Sequence, residues 1–282
     1  MNWLDSDLAR RNTAVRKGLS VLFKSVRVLL RYFDIGMQKG PPIIVNSVPK
    51  SGTHLLMQLA RSLPNVRYFG SFIAQQPSLT LEMRSQSKID KLIQKMIPGE
   101  VVGAHLHFSE QTSRRIRQSG ALHLLIIRDP AEIIMSESHY LAHMNPYHKI
   151  SAEYKGLNSQ QAINLTISGS TRFPDLFPKF EDRVLPYLGW LDDDSTIVVR
   201  FEDVMSDDRI DGTLHRIVDA WRAKFKLTEL CSDTIVSDLR EAIVPSKSHT
   251  FSGRKKEELH YLDKDQILIV ERMSSLMGYG KV

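Results

Sequence analysis

Lys50, Ser51, Gly52 and Thr53 sit together in the stretch Pro49-Lys50-Ser51-Gly52-Thr53. The apolar run Ile43-Ile44-Val45 leads into it through Asn46-Ser47-Val48, and Leu55, Leu56, Leu59, Ala60 and Leu63 follow at helical spacing. The stretch therefore reads as strand, short loop and helix. Backbone N–H groups in such a turn, with the positive end of the helix behind them, bind anions. Lys50, Ser51 and Thr53 add side-chain donors at the same place. The chemistry on offer is phosphate recognition; the plainer reading is an ordinary strand-to-helix turn.

Three further groups could work with that loop. In Val101-Val102-Gly103-Ala104-His105-Leu106-His107, alternation puts His105 and His107 on one strand face if the strand runs that far. Histidines at a strand's carboxyl end suit acid–base work, and a pair of satisfied structural histidines is the other reading. No third metal ligand accompanies them, so a metal is not expected. Arg128 follows the apolar run Leu122–Ile127, and Ser136 lies about two turns into the next helix. An arginine there suits bidentate phosphate binding, or else an ion pair with a neighbouring carboxylate. The basic stretch Ser246–Lys256 contains Arg254 and reads as a charged loop.

The elements that must position these residues follow from the apolar patterns. Strands are expected near 43–48, 66–69, 101–107, 122–127 and 196–201. Helices are expected over 53–62, 89–97, 130–143, 158–167, 208–226, 233–243 and 262–277, with a further amphipathic segment in 173–191. This is an α/β protein: a central parallel sheet of about five strands flanked by helices. Residues 144–172 are expected to form an insertion that covers a substrate.

Residues 12–34 form a basic amphipathic helix, with Val15, Leu19, Leu22, Phe23, Val26, Leu30 and Phe33 on one face and Arg16, Lys24, Arg27 and Arg31 on another. It either packs on the main domain, lies on an anionic membrane surface or meets a partner subunit. Residues 1–40 are thus read as an extension and 41–282 as the main domain. The chain has 282 residues, 38 basic and 32 acidic, with a net charge of +6, which favours an anionic ligand or surface. Its single cysteine, Cys231, excludes an internal disulfide. No apolar run approaches a membrane span, and charged residues interrupt any signal-peptide pattern.

Taken in order, these motifs resemble the sulfotransferases that use 3′-phosphoadenosine 5′-phosphosulfate (PAPS). Pro49–Thr53 resembles that family's 5′-phosphosulfate loop. Ala104-His105-Leu106 resembles the segment with its catalytic histidine. Arg128 and Ser136 match its 3′-phosphate motif in type and spacing, Arg200-Phe201-Glu202-Asp203-Val204 resembles its Tyr-Glu-Asp strand end, and Phe251 with Arg254-Lys255 resembles its late 3′-phosphate loop. There are departures. Leu55 stands where an adenine-stacking aromatic is common, Gly103 where a lysine is common, and the late loop is degraded to Ser252–Glu257. The chain reads as a divergent branch, expected to be microbial.

The resemblance implies sulfuryl transfer from PAPS to an acceptor hydroxyl or amine on a glycan, glycolipid or small metabolite, without a metal. It makes His105 the general base and Lys50 the group that stabilises the leaving phosphate. It makes Lys50, Ser51, Gly52, Thr53, His54, Arg128, Ser136 and Arg254 the donor-binding set. A cytoplasmic enzyme with peripheral membrane contact and no nucleic-acid partner is expected. Two other classes stay open: a P-loop nucleotide kinase or NTPase, although the loop lacks the Walker Gly-Lys-Ser/Thr order, and a non-enzymatic basic protein binding nucleic acid or membrane.

Overall fold

A computed structural model describes residues 22, 25, 26, 29, 40–226, 231–243 and 262–280. In chain order the elements are β1 (Ile43–Ser47), α1 (Thr53–Ser62), β2 (Arg67–Ala74), α2 (Gln86–Gln94), β3 (Glu100–His105), α3 (Glu110–Gln118), β4 (Leu122–Ile127) and α4 (Pro130–His139). After α4 come α5 (Ser159–Ser168), α6 (Phe180–Leu188), β5 (Thr196–Arg200), the short α7 (Phe201–Val204), α8 (Ile210–Phe225), α9 (Ser232–Ala242) and α10 (Lys264–Leu276). The five strands form one parallel sheet in the order β2-β3-β1-β4-β5.

β1 is the pivot of this sheet. It pairs with β3 on one side and β4 on the other, in register from Ile43, which faces Val101 and Leu122. The chain leaves β1 toward the β2–β3 edge and later crosses to β4 and β5. Connections therefore diverge at the carboxyl end of β1, where such sheets leave a crevice. All five residues of β1 and all six of β4 are buried, as strands covered on both faces must be.

Side-chain alternation divides the core into two layers. Ile43, Val45, Leu124 and Ile126 face α1, α8 and α9 through Leu56, Leu59, Leu214, Trp221 and Leu239. Ile44, Val102, Ala104 and Leu125 face the other side, where α2 to α6 and α10 contribute Ile89, Ile116, Ile134, Ile163, Phe180 and Met273. A third cluster of Leu81, Leu141, Ile150, Tyr154, Ala162 and Phe177 lies outside both layers. These residues come from the segments after β2 and after α4, which share this small core; Ile163 and Ile167 of α5 pack into the main layer instead.

The structure changes several boundaries. β2 extends to Ala74 instead of ending near 69; it is a half-exposed edge strand with a register shift between Tyr68 and Phe72, so it shows neither a continuous apolar run nor clean alternation. α3 has few apolar residues: Ile116 is its one buried aliphatic side chain, and Ser109 caps it by accepting from the Thr112 N–H at 3.1 Å. Its apolar periodicity is too weak to read from sequence. α4 ends at His139 and continues as a π-helical turn, Tyr140–Met144. β3 stops at His105, so His107 lies in the following loop and the two histidines do not share a strand face. The basic stretch 246–256, including Arg254, lies outside the described residues, as does most of the 12–34 helix. Within that helix Leu22, Ser25, Val26 and Leu29 are helical and exposed.

Candidate active site

The turn after β1 follows from two unusual backbone positions. Lys50 has φ of 69° and Gly52 has φ of 103°, both in the left-handed region. At Gly52 a β-carbon would also lie 2.5 Å from Cδ2 of Phe201 and 3.2 Å from Cδ1 of Ile126. Glycine is needed there for conformation and for space. It begins α1 without any side-chain cap, so the first turn of α1 faces the crevice with its backbone donors uncovered by a capping side chain. Ser51 is fully buried, and its Oγ has no hydrogen-bond partner among the described residues.

A polar chain joins this loop to His105. Thr53 Oγ1 and Ser47 Oγ are 2.6 Å apart, and Ser47 Oγ is 3.0 Å from Nδ1 of His105. The same Nδ1 lies 3.0 Å from the Ser47 carbonyl oxygen. A carbonyl only accepts, so Nδ1 carries the proton and Nε2 keeps its lone pair. Burial lowers the His105 pKa to about 4; the Ser47 carbonyl bond opposes this, while Lys50 and His107 assist it.

Asn46 fixes the segment that carries His105. Its side chain is fully buried and accepts from the Leu106 N–H at 2.8 Å while donating to the Leu106 carbonyl at 3.2 Å. It also accepts from the Ser47 N–H at 2.9 Å. The Trp190 indole N–H adds a second donor to the Leu106 carbonyl at 2.8 Å. The chain beyond β3 is thus held to β1 where sheet pairing has stopped.

The loop after β4 supplies the other cation. Arg128 Nη2 pairs with Glu132 Oε2 at 2.9 Å, so the ion-pair reading of this arginine is realised. Its guanidinium also lies 4.3 Å from the ring centroid of Phe201, and its Nε is buried without a partner among the described residues. Glu202 Oε1 accepts from the Asp129 N–H at 3.0 Å and Oε2 accepts from the Tyr279 hydroxyl at 2.8 Å. The strand-end motif Phe201-Glu202 therefore supports both loops: its ring packs on Gly52 and Arg128, and its carboxylate holds the turn at Asp129.

Lys50, Gly52, Thr53, His54, His105, Arg128 and Ser136 all line one cavity of about 670 Å³. Ser51, fully buried, is not part of its lining. Lys50 Nζ is 3.9 Å from the ring centroid of Tyr140. Burial lowers its pKa to about 8, partly offset by Glu137 and reinforced by Arg128. Glu137 in turn pairs with Arg183 at 2.7 Å. Asn46, Ser47, Tyr140 and Glu137 carried no role in the sequence reading. Asn46 and Ser47 did leave a signal, as two polar residues ending a wholly apolar strand; Glu137 and Tyr140 left none. Orphaned donors on Ser51 and Arg128, and a glycine cradle between them, suit a ligand with two anionic groups. No group of three or more His, Cys, Asp or Glu among the described residues is placed to hold a metal ion.

Replacing Asn46 with Ala removes the partners of two buried backbone N–H groups. We expect a loss of about 2–4 kcal/mol in stability, measured by urea unfolding, and a fall in turnover larger than the fall in donor affinity. Unchanged unfolding would show that the Leu106 peptide does not need this clamp.

Residues 40–266 match the family model described as the sulfotransferase domain. Among solved structures, the chain is similar to mouse sulfotransferase SULT7A1 complexed with PAP, at 17% identity over 84% of each chain with a TM-score of 0.53. It is also similar to retinol dehydratase in a complex with retinol and PAP, at 14% identity over 87% of this chain and 84% of that one, with a TM-score of 0.50. At such identities these likenesses speak to the fold. No curated protein sequence matches the chain. The family match decides between the transferase reading and the kinase or non-enzymatic ones: this chain belongs to the sulfotransferase domain family.

Proposed function

We propose that the crevice beyond β1 binds PAPS, with Lys50, Ser51, Gly52, Thr53 and His54 around the 5′-phosphosulfate and Arg128 and Ser136 at the 3′-phosphate. Arg254 is assigned to the 3′-phosphate as well, on its sequence alone. His105 is the base for the acceptor hydroxyl. One observation carries this reading: His105 and the phosphate loop are parts of a single hydrogen-bond chain, His105 Nδ1–Ser47 Oγ–Thr53 Oγ1. With the Nδ1 proton directed at Ser47, the Ser47 hydroxyl donates to Thr53, and the Thr53 proton is left for the donor's phosphate. Nε2 is left to take a proton from the acceptor.

In the transfer, the acceptor oxygen bonds to sulfur as the bond from sulfur to the bridging 5′-phosphate oxygen breaks. The electron pair stays on the phosphate, the acceptor proton goes to His105 Nε2, and PAP leaves. Lys50 and the loop amides stabilise the charge that grows on the phosphate. PAP bound to two solved relatives of the same fold supports the choice of donor.

We place the enzyme in the cytoplasm as one catalytic unit from residue 41 onward, preceded by an extension, 1–40, that touches anionic membrane. The exposed helical Leu22, Val26 and Leu29 support the last point. Among the described residues no helix is long and apolar enough to cross a membrane.

Binding, kinetics and vesicle contact test these assignments. PAP is expected to bind far more tightly than AMP, by calorimetry, and His105→Ala to abolish transfer while leaving PAP binding within about twofold; equal affinity for PAP and AMP would remove the 3′-phosphate role of Arg128. The pH profile of kcat/KM for the donor reports the free enzyme. Neutral His105 and protonated Lys50 are the active forms, so the rate should fall as pH drops through about 4 and again as it rises through about 8. Lys50→Arg should move the alkaline limb upward, since guanidinium keeps its charge; an unmoved limb would assign it elsewhere. Deleting residues 1–38 should abolish co-sedimentation with phosphatidylserine vesicles, and undiminished binding would exclude the extension as the contact.

A further inference from the structure

The segment after α10 reaches back to the donor-binding loops. Met273 and Met277 bury one side of α10 in the layer that also holds Ile133 and Ile134 of α4. The helix then stops at Gly278, whose φ of 71° lies in the left-handed region. A β-carbon there would stand 2.9 Å from Arg200 Nη2, so glycine serves both the turn and the close approach. The Tyr279 N–H closes the turn on the Ser274 carbonyl at 2.8 Å. The chain is thereby laid across Arg200, the last residue of β5. The Arg200 guanidinium lies 4.5 Å from the Tyr279 ring centroid, and its Nη2 donates to the Met277 carbonyl at 3.4 Å.

The Tyr279 hydroxyl ends this segment on Glu202. It donates to Oε2 at 2.8 Å while Oε1 accepts from the Asp129 N–H at 3.0 Å, so both carboxylate oxygens are engaged. Burial and the charge of Glu202 raise the Tyr279 pKa above the usual phenol value, and the hydroxyl keeps the proton that it donates. Asp129 is the joint of the loop after β4. It follows Arg128, caps α4 by accepting from the Ala131 N–H at 2.9 Å, and takes the Ile133 N–H on its carbonyl at 3.0 Å.

Glu202 is a poor neighbour for a phosphate. A carboxylate beside the peptide that follows Arg128 repels a bound phosphate and competes with it for the guanidinium. Arg128 already carries Glu132 on Nη2, and its buried Nε has no partner among the described residues. A second carboxylate on Arg128 would use the donors that a phosphate needs. The bond from Tyr279 occupies Oε2 and fixes the carboxylate on the Asp129 peptide.

We infer that Tyr279 is a positioning residue for the donor's 3′-phosphate: it holds Glu202 on the Asp129 peptide and off Arg128, and so keeps the guanidinium open to the phosphate. This rests on the placement of the 3′-phosphate at Arg128 proposed above.

The test is calorimetry on the full chain with PAP and AMP, which differ in the 3′-phosphate alone. Tyr279→Phe keeps the ring on Arg200 and removes only the hydroxyl. It is expected to weaken PAP at least about fivefold and to leave AMP within about twofold of wild type. The retained AMP affinity also shows that the variant is folded. Adding Glu202→Gln removes the competing charge and keeps an oxygen for the Asp129 N–H. The double variant is expected to recover PAP affinity to within about twofold of wild type, which a mere loss of packing would not allow. Tyr279→Phe that keeps the wild-type preference for PAP over AMP, whether or not both bind more weakly, overturns the inference. So does a double variant no better than the single one. In either case the preference of the wild type for PAP leaves the donor site standing. Wild-type protein that binds PAP no more tightly than AMP removes the 3′-phosphate placement and this inference together.

Discussion

The site depends on a buried carboxamide. Asn46 satisfies both backbone groups of Leu106 at the point where β3 has ended and sheet hydrogen bonds no longer hold the chain. A side chain there must be polar on both ends, fully buried and short, and asparagine meets all three conditions. Without it, His105 would sit at the start of a free loop. With it, the imidazole is fixed against Ser47, the last residue of β1, and thereby against the first residue of α1. Placement of this kind is what an in-line transfer needs, because small errors in the position of a base cost much of its effect.

A second constraint joins the two anion-binding loops. The Phe201 ring occupies the space where a Gly52 side chain would be and lies under the Arg128 guanidinium. Glu202, beside it, holds the backbone at Asp129. A motif at the end of β5 thereby sets the spacing between the loops after β1 and β4. Both lie on the same edge of the sheet because β1 and β4 are paired in register, Ser47 opposite Ile126. The electrostatics follow from the same packing. Burial pushes Lys50 and His105 toward their neutral forms in the free protein, and an arriving polyanion draws both back toward their charged forms.

Much of the scaffold was legible in the chain. β1 and β4 are wholly buried and read as apolar runs, and α8 and α10 read as amphipathic helices. The loop Pro49–Thr53, His105, Arg128 and Ser136 could be selected because their residue types are informative at strand ends. The edge strand β2 and the polar helix α3 were hard to see for one reason: neither buries enough apolar surface to impose a period. By spacing alone His105 and His107 are equivalent, and the end of β3 at His105 separates them.

The sequence by itself determined which residues could bind anions and move a proton, since that follows from side-chain chemistry and from strand ends marked by local pattern. Tertiary structure decided how they combine. The tautomer of His105, the clamp of Asn46 on Leu106, and the contact of Phe201 with Gly52 and Arg128 join residues 58 to 149 positions apart in sequence. Such contacts are set by sheet order and register, and the local periodicity of any one segment carries no trace of them.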